Sequence, residues 1–370
     1  MANLVDEFQR SWLTSLIGIA LFCFGVWLLT WNEGRAVHHS HSLDETYNSA
    51  VTVNPHERFG YDYNGRVVHI SDSLFVDEPL TDVDYGISIQ AVKMKRRVQM
   101  YQWVEERTAR NEDENGEAQY SINDYYYVTE WRDKLVDSSS FYVRHGHENP
   151  RDIPLKTVSH VAPQVRLGQL SVGDEIKEKF DDWVEITSDE RPERTDVKLH
   201  MGIYYHCDDI WNPEVGDIRV QFYYAGATGE PVTIVAKQEN GVLVPYETSR
   251  GHKIALLRYG NLNINQMFTA EHYDSKLETW KLRGLGIFVL YASSVCLAKL
   301  HKILFQQVPI LNDVLSGDPT SSNTIIFSFS LSLMVIATAW VFYRPMLGAG
   351  LIFAAISPLL YCTMGVYNPI

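Results

Sequence analysis

The chain reads as an α+β membrane protein, with four transmembrane helices (one N-terminal, three C-terminal) and a large β-rich extramembrane domain between the first and second. Three observations predict this. Uncharged apolar runs of about bilayer-spanning length sit towards both ends of the 370 residues. The region between them, residues 32–283, carries the whole net charge of −14, because four basic residues outside it (Arg10, Lys299, Lys302, Arg344) cancel four acidic ones (Asp6, Glu7, Asp313, Asp318). Within it, short segments alternate apolar and polar residues with the period of two that a half-buried strand needs.

Residues 1–11 form a short tail. Residues 12–31 (WLTSLIGIALFCFGVWLLTW) form a run with no charge and Trp at both ends, too long for a signal-peptide core and lacking a small-residue cleavage site. It is expected to be an uncleaved signal anchor. His38, His39 and His41 follow, but no Cys or spaced carboxylate set completes a metal site, so a solvated interfacial cluster is expected.

The polar domain, residues 32–283, divides into two β-rich stretches, about 50–143 and 197–260, around a mixed insertion. Gly65–Ile70 is a short strand. Arg97–Glu105 and Tyr125–Arg132 form a long hairpin around an acidic loop (Glu112, Asp113, Glu114, Glu117), with Tyr125, Tyr127, Thr129 and Trp131 on one face. Tyr101, Trp103, Tyr127 and Trp131 are the candidate framework or contact residues. Leu167–Trp183 suggests short helical turns, and Asp189–Arg194 a charged loop. Strands are then expected at Val197–Tyr205, Asp217–Tyr224 and Val232–Gln238, the last turning at Glu239-Asn240-Gly241 into Val242–Tyr246. Lys253–Tyr259 is one more strand. Asn263–Arg283 reads as a helix running into the second span. GRVVHI and GDIRVQF both open strand-rich sections, without a strict repeat.

The second span is residues 284–304, with Lys299 and Lys302 snorkelling to the interface. An amphipathic loop, 305–323, is broken by Pro309. Spans three and four, 324–343 and 345–366, are separated by Arg344, which makes them a tight helical hairpin. Ser328, Ser330 and Ser332, with Gly348 and Gly350, are the candidate helix-packing residues, since hydroxyls and small side chains allow close helix approach. With an even number of spans both termini lie on one side, and the positive residues there weigh towards the cytosol.

Several function classes lose support. The acidic domain is a poor nucleic-acid binder. P-loop, dinucleotide-binding, HExxH and GxSxG motifs are missing, so no catalytic, cofactor-binding or metal residues are assigned and no cofactor is expected. His206-Cys207 looks like a base beside a nucleophile, but neighbours on a strand point to opposite faces, which favours a buried free thiol. No Asp, Glu, Lys or Arg lies in the middle of a span, which argues against a transport path.

Long motifs in one order carry a resemblance: NEGRAV after the first span, GRVVHI, YGISIQAVKMKRRVQMYQWVE, YYYVTEWRD, GHENP, PEVGDIRVQFYYAG, VTIVAKQENGVLVPYE, TWKLRG and WVFYRP. Together, from about Leu16 to Pro345, they closely resemble the LUMA family, also called transmembrane protein 43. The resemblance implies a four-span protein of the endoplasmic reticulum and nucleus inner membrane, with its large domain lumenal or perinuclear and its termini cytosolic or nucleoplasmic. It implies emerin-type and lamin-type partners, self-association, and a scaffold role that helps maintain nuclear envelope structure, without enzyme activity. It also places Ser330 where the family is sensitive to change. The alternative is a lipid-handling or membrane-organising protein acting at the lumenal leaflet.

Overall fold

Nothing in the residues after Trp31 stops a helix: Asn32–Ser49 contains no proline, one glycine, and helix formers such as Glu33, Arg35, Ala36 and Leu43. The computed structural model, which describes residues 12–56, 63–107, 125–187, 196–304, 322–343 and 345–366, accordingly shows one helix over Trp12–Ser49. The apolar run ends where the sequence indicates, but the helix continues for five more turns' worth of chain. Ser42, Leu43 and Thr46 are buried along this extension. The histidine segment therefore lies on this helix.

The chain divides into a helical unit (Met1–Asn48, Glu247–His252, Ile264–Ile370) and a β-rich unit (Ser49–Tyr246, Lys253–Asn263). In the helical unit, Trp12–Ser49 runs antiparallel to Ile264–Cys296. A Cβ on Gly18 would meet Leu297, one on Gly25 Leu290, and one on Gly286 Leu29. Glycine at these points lets the two helices approach closely. Farther along, Tyr47 Oη donates to Asn265 Oδ1 at 2.7 Å. Ala298–Leu304 follows Cys296 after a 75° bend, so the expected second span is not one straight helix. Ser322–Tyr343 and Pro345–Val366 form the last two helices, at the positions the apolar runs indicate. Among the described residues, two helices are long and apolar enough to cross a membrane, Trp12–Ser49 and Asn323–Tyr343, and the bent pair makes a third. Pro345–Leu360 is a shorter apolar helix.

Two seven-stranded sheets of the β-rich unit share one core. In the first, strands Val67–Val76, Val165–Leu167, Leu170–Val172, Val242–Val244 and Pro231–Glu239 pair in that order, and the last pairs back on the first. This closes a small barrel-like ring, to which Ala50–Thr52 adds in parallel and Leu256–Tyr259 antiparallel. The ring is tightened at Asn240-Gly241, where φ values of 51° and 86° give the left-handed pair that a two-residue hairpin requires. The second sheet runs Lys198–His200, Ile203–His206, Ile218–Ala227, Ala91–Arg107, Tyr125–Arg132, with Val184–Glu185 and Val158–Val161 at its flanks. Ile70, Leu74 and Ile234 from the ring share the core with Met94, Val98, Val220 and Phe222 from the second sheet.

Lys253–Tyr259 is two strands in different sheets, Lys253–Ile254 and Leu256–Tyr259, rather than one, and three further expectations change here. Val197–Tyr205 is not one strand but a tight hairpin turning at Met201-Gly202, both at positive φ. Leu167–Trp183 contains a strand of the ring and a one-turn helix, Asp174–Lys177, rather than helical turns alone. GRVVHI and GDIRVQF open strands in different sheets, so they are not a repeat. The acidic loop, the charged loop around Pro192, the amphipathic stretch around Pro309 and Arg344 lie outside the described residues.

Candidate functional site

Glu33 is two residues beyond a run of apolar side chains, where a carboxylate normally faces water. Here helical periodicity turns it inward, on the face of Gly25, Leu29 and Asn32, and it is fully buried. A buried charge must be paired and hydrogen-bonded. Arg283 supplies both: its Nε donates to Glu33 Oε1 at 2.6 Å and Nη2 to Oε2 at 2.7 Å, a bidentate fork. Trp340, from Ser322–Tyr343, donates its indole N–H to Glu33 Oε2 at 2.8 Å. One carboxylate therefore joins three helices.

Neighbouring contacts extend the cluster. Asn32 Nδ2 donates to the Thr279 carbonyl at 3.1 Å, and Arg35 pairs with Glu278 at 2.9 Å. The Arg283 guanidinium lies 4.7 Å from the Trp280 ring centre and that of Arg35 5.7 Å from Trp31. Below the polar layer, Leu29, Leu290 and Ile336 pack together, flanked by Phe22, Val26 and Trp340. With three donors and no exposure to solvent, Glu33 is not available to exchange a proton with an outside substrate. The arrangement is a polar lock.

Glu33, Arg283 and Trp340 were not among the residues the sequence singled out. Their signal was present: each belongs to a motif of the resemblance, NEGRAV, TWKLRG and WVFYRP, but nothing in the sequence showed that the three converge. The candidate packing residues surround a different contact. Ser332 Oγ donates to the Ser328 carbonyl at 2.7 Å and Ser328 Oγ to that of Ile325 at 2.9 Å, each within its own helix. Ser330 is buried, and its hydroxyl has no hydrogen-bond partner among the described residues. Gly348 sits where a Cβ would lie 2.7 Å from the Val341 backbone nitrogen, whereas Gly350 has open space around it.

The hairpin of the β-rich unit is the second constellation. Met100 pairs with Arg132 and Arg107 with Tyr125, which sets Tyr101 opposite Trp131 and Trp103 opposite Thr129. Tyr101 and Trp131 rings lie 5.2 Å apart, and Arg219 covers Trp131 at 4.8 Å. The His147 ring stacks on Tyr127 at 3.8 Å and meets Trp103 edge-on at 4.8 Å. Asn149 clamps the strand: its Oδ1 accepts from Trp103 N–H at 2.7 Å, and its Nδ2 donates to the carbonyls of Trp103 and Val136. Tyr127 donates to Glu105 at 2.8 Å and accepts from Val143 N–H. The GHENP motif thus fastens a crossing loop onto the aromatic face, and all four candidate aromatics are half-buried in these contacts.

The remaining candidates take up structural partners. His206 Nε2 bonds Tyr85 Oη at 2.8 Å, and burial pushes the Cys207 thiol up, away from the reactive thiolate. His38 Nδ1 faces Arg250 at 3.2 Å, and a guanidinium can only donate. Among the described residues, no group of three His, Cys, Asp or Glu is arranged to hold a metal ion.

The sequence model described as Transmembrane protein 43 matches residues 100–345. The Transmembrane protein 43 homolog of Drosophila melanogaster is 43% identical over 372 residues, covering 100% of this chain and 99% of its own length. Transmembrane protein 43 of Homo sapiens is 29% identical over 353 residues (93% of this chain, 88% of its own), and that of Pongo abelii 28% over 351 (92% and 87%). No solved structure matches the chain significantly. A match of this breadth, running through the segments that build both the lock and the clamped hairpin, makes the chain a member of the transmembrane protein 43 family.

Proposed function

We propose that the protein is a non-enzymatic, four-span membrane scaffold that organises protein complexes at the endoplasmic reticulum and inner nuclear membrane and helps maintain nuclear envelope structure. One observation carries the reading. The distinctive motifs of the chain end in structural contacts rather than at a reacting centre: Glu33, Arg283 and Trp340 lock helices together, and His147 and Asn149 fasten the hairpin. Residues committed to fixed partners suit a protein whose task is to hold a shape.

The fourth span is Pro345–Val366, paired with Ser322–Tyr343. Four spans leave both termini on one face of the membrane, with Arg10, Lys299 and Lys302 there favouring the cytosol or nucleoplasm. The β-rich unit is then lumenal or perinuclear. Emerin-type and lamin-type proteins are the partners, and the chain self-associates.

Depletion tests the role: an emerin-type partner should leave the envelope for the peripheral reticulum, and unchanged partner retention and envelope shape would refute it. Re-expression of a Glu33→Gln chain should restore less retention than the wild type.

A further inference from the structure

The buried residues of Ile264–Cys296, among them Thr279, Gly286 and Leu290, lie on the side turned to the first helix. On the opposite side Tyr273, Leu277, Trp280 and Phe288 are exposed. At about 3.6 residues per turn they fall, with Gly284, on one stripe along the helix. The stripe holds a notch. A Cβ on Gly286 would run into Leu29 of the first helix, whereas one on Gly284 would have open space. Trp280 and Phe288, one turn to either side, wall that space. Lys276 and Lys281 flank the stripe, are exposed, and make no ion pair or hydrogen bond among the described residues. Glu278, one turn before Lys281, is engaged by Arg35 at 2.9 Å.

We propose that this stripe holds an anionic phospholipid of the leaflet from which residues 264–283 emerge, its phosphate at Lys276 and Lys281 and an acyl chain over Gly284. The order along the stripe is that of a lipid from headgroup to chain. Lysines on the polar part of the helix come first, then an interfacial Trp280, then a bare backbone where the apolar run begins. The two lysines supply positive charge complementary to the phosphate, on a chain whose net charge is otherwise acidic. A second copy is the other occupant that an exposed stripe invites, and Tyr273, Leu277, Trp280 and Gly284 do have the alternating spacing of a coiled-coil seam. A two-fold axis along the membrane normal would pair this helix with its copy in parallel. That sets Lys276 of each chain against Lys281 of the other, across the seam and five residues on, and like charges so placed oppose the pairing. The inference stands apart from the scaffold reading, since it concerns lipid and not partner proteins.

The test uses the full chain in phosphatidylcholine nanodiscs doped with phosphatidylserine, released and weighed by native mass spectrometry. The wild type should retain phosphatidylserine in preference to phosphatidylcholine. Lys276→Gln and Lys281→Gln should each lower that retention about fivefold, the effect of one lysine near an anionic surface. The paired Lys276→Arg, Lys281→Arg chain should keep most of it, which separates a lost charge from a misfolded protein. Gly284→Leu, which fills the notch and leaves the charge alone, should also lower it. Lys179→Gln, exposed on the β-rich unit, should leave it unchanged. Equal retention of the two lipids would overturn the proposal, as would full retention in Gly284→Leu. An equal loss in Lys179→Gln would overturn it by marking diffuse surface charge. Paired chains in the spectra that Gly284→Leu separates would overturn it as well, by giving the stripe to a second copy.

Discussion

Glu33 shows how one side chain can hold several elements. Its carboxylate is costly to bury, and that cost is offset only while Arg283 and Trp340 remain in place. Glu33→Gln should therefore destabilise the helical unit by about 3–5 kcal/mol, the range for breaking a buried ion pair from one side. Denaturant unfolding of the purified full chain in detergent would measure it, and the Glu33→Gln, Arg283→Gln pair should lose less than the sum of the singles. His69 makes a second residue-level case. Its Nε2 faces the Leu262 carbonyl at 3.0 Å, which can only accept, so Nε2 carries the proton and Nδ1 receives the Thr52 hydroxyl at 3.3 Å. Burial holds the imidazole below its ordinary 6.5, with the Leu262 carbonyl opposing. The unfolded chain therefore takes up the proton first. The stabilisation is complete above 6.5 and is lost as the pH falls below it towards the folded value. His69→Gln should flatten that acid limb in unfolding curves taken at neutral and mildly acidic pH.

Elements depend on where small residues and clamps fall. In the last helical hairpin, Gly348 lies against the Val341 backbone, which cannot swing aside as a side-chain tip could. Gly348→Ala should cost about 1–3 kcal/mol by overpacking, while Gly350→Ala, in open space, should be nearly neutral; thermal unfolding in detergent distinguishes them. Both glycines look equivalent in the run GAG, and only their environment separates them. In the β-rich hairpin, Asn149→Ala removes the clamp on Trp103 and strands half-buried backbone groups, at about 1 kcal/mol each, the low end for a stranded polar group. Limited proteolysis should then cut first in the loop between Arg132 and Val158. The strands of this hairpin were legible because Val98, Met100 and Gln102 alternate. The crossing loop was not, because its hold depends on side chains some 46 residues away in sequence, as between Asn149 and Trp103.

At the scale of the molecule, the prediction concerns sidedness. With tags at Met1 and in the acidic loop after Arg107, protease treatment of intact microsomes should remove the terminal tag and spare the loop tag. An accessible loop tag would reverse the proposed orientation. The family assignment rests at this scale as well, since similarity to the Drosophila relative extends over 100% of the chain rather than over one module.

Charge and apolar run length were enough to place the long apolar helices towards the two ends of the chain, because the cost of placing ionised groups in hydrocarbon is written directly into composition. Alternation was enough for the long strands, such as Ala91–Arg107, Tyr125–Arg132, Ile218–Ala227 and Pro231–Glu239, because the pleat repeats every two residues. Neither could show that the first helix runs on to Ser49, that the second bends after Cys296, or that the ring of strands closes through Val67–Val76 and Pro231–Glu239. The lock was hidden for the same reason. Glu33, Arg283 and Trp340 are separated by 250 residues in one case and 307 in another. An ionisable residue just past a span carries no local mark of burial. Only packing of the helices against one another takes that carboxylate out of water and gives it its three donors.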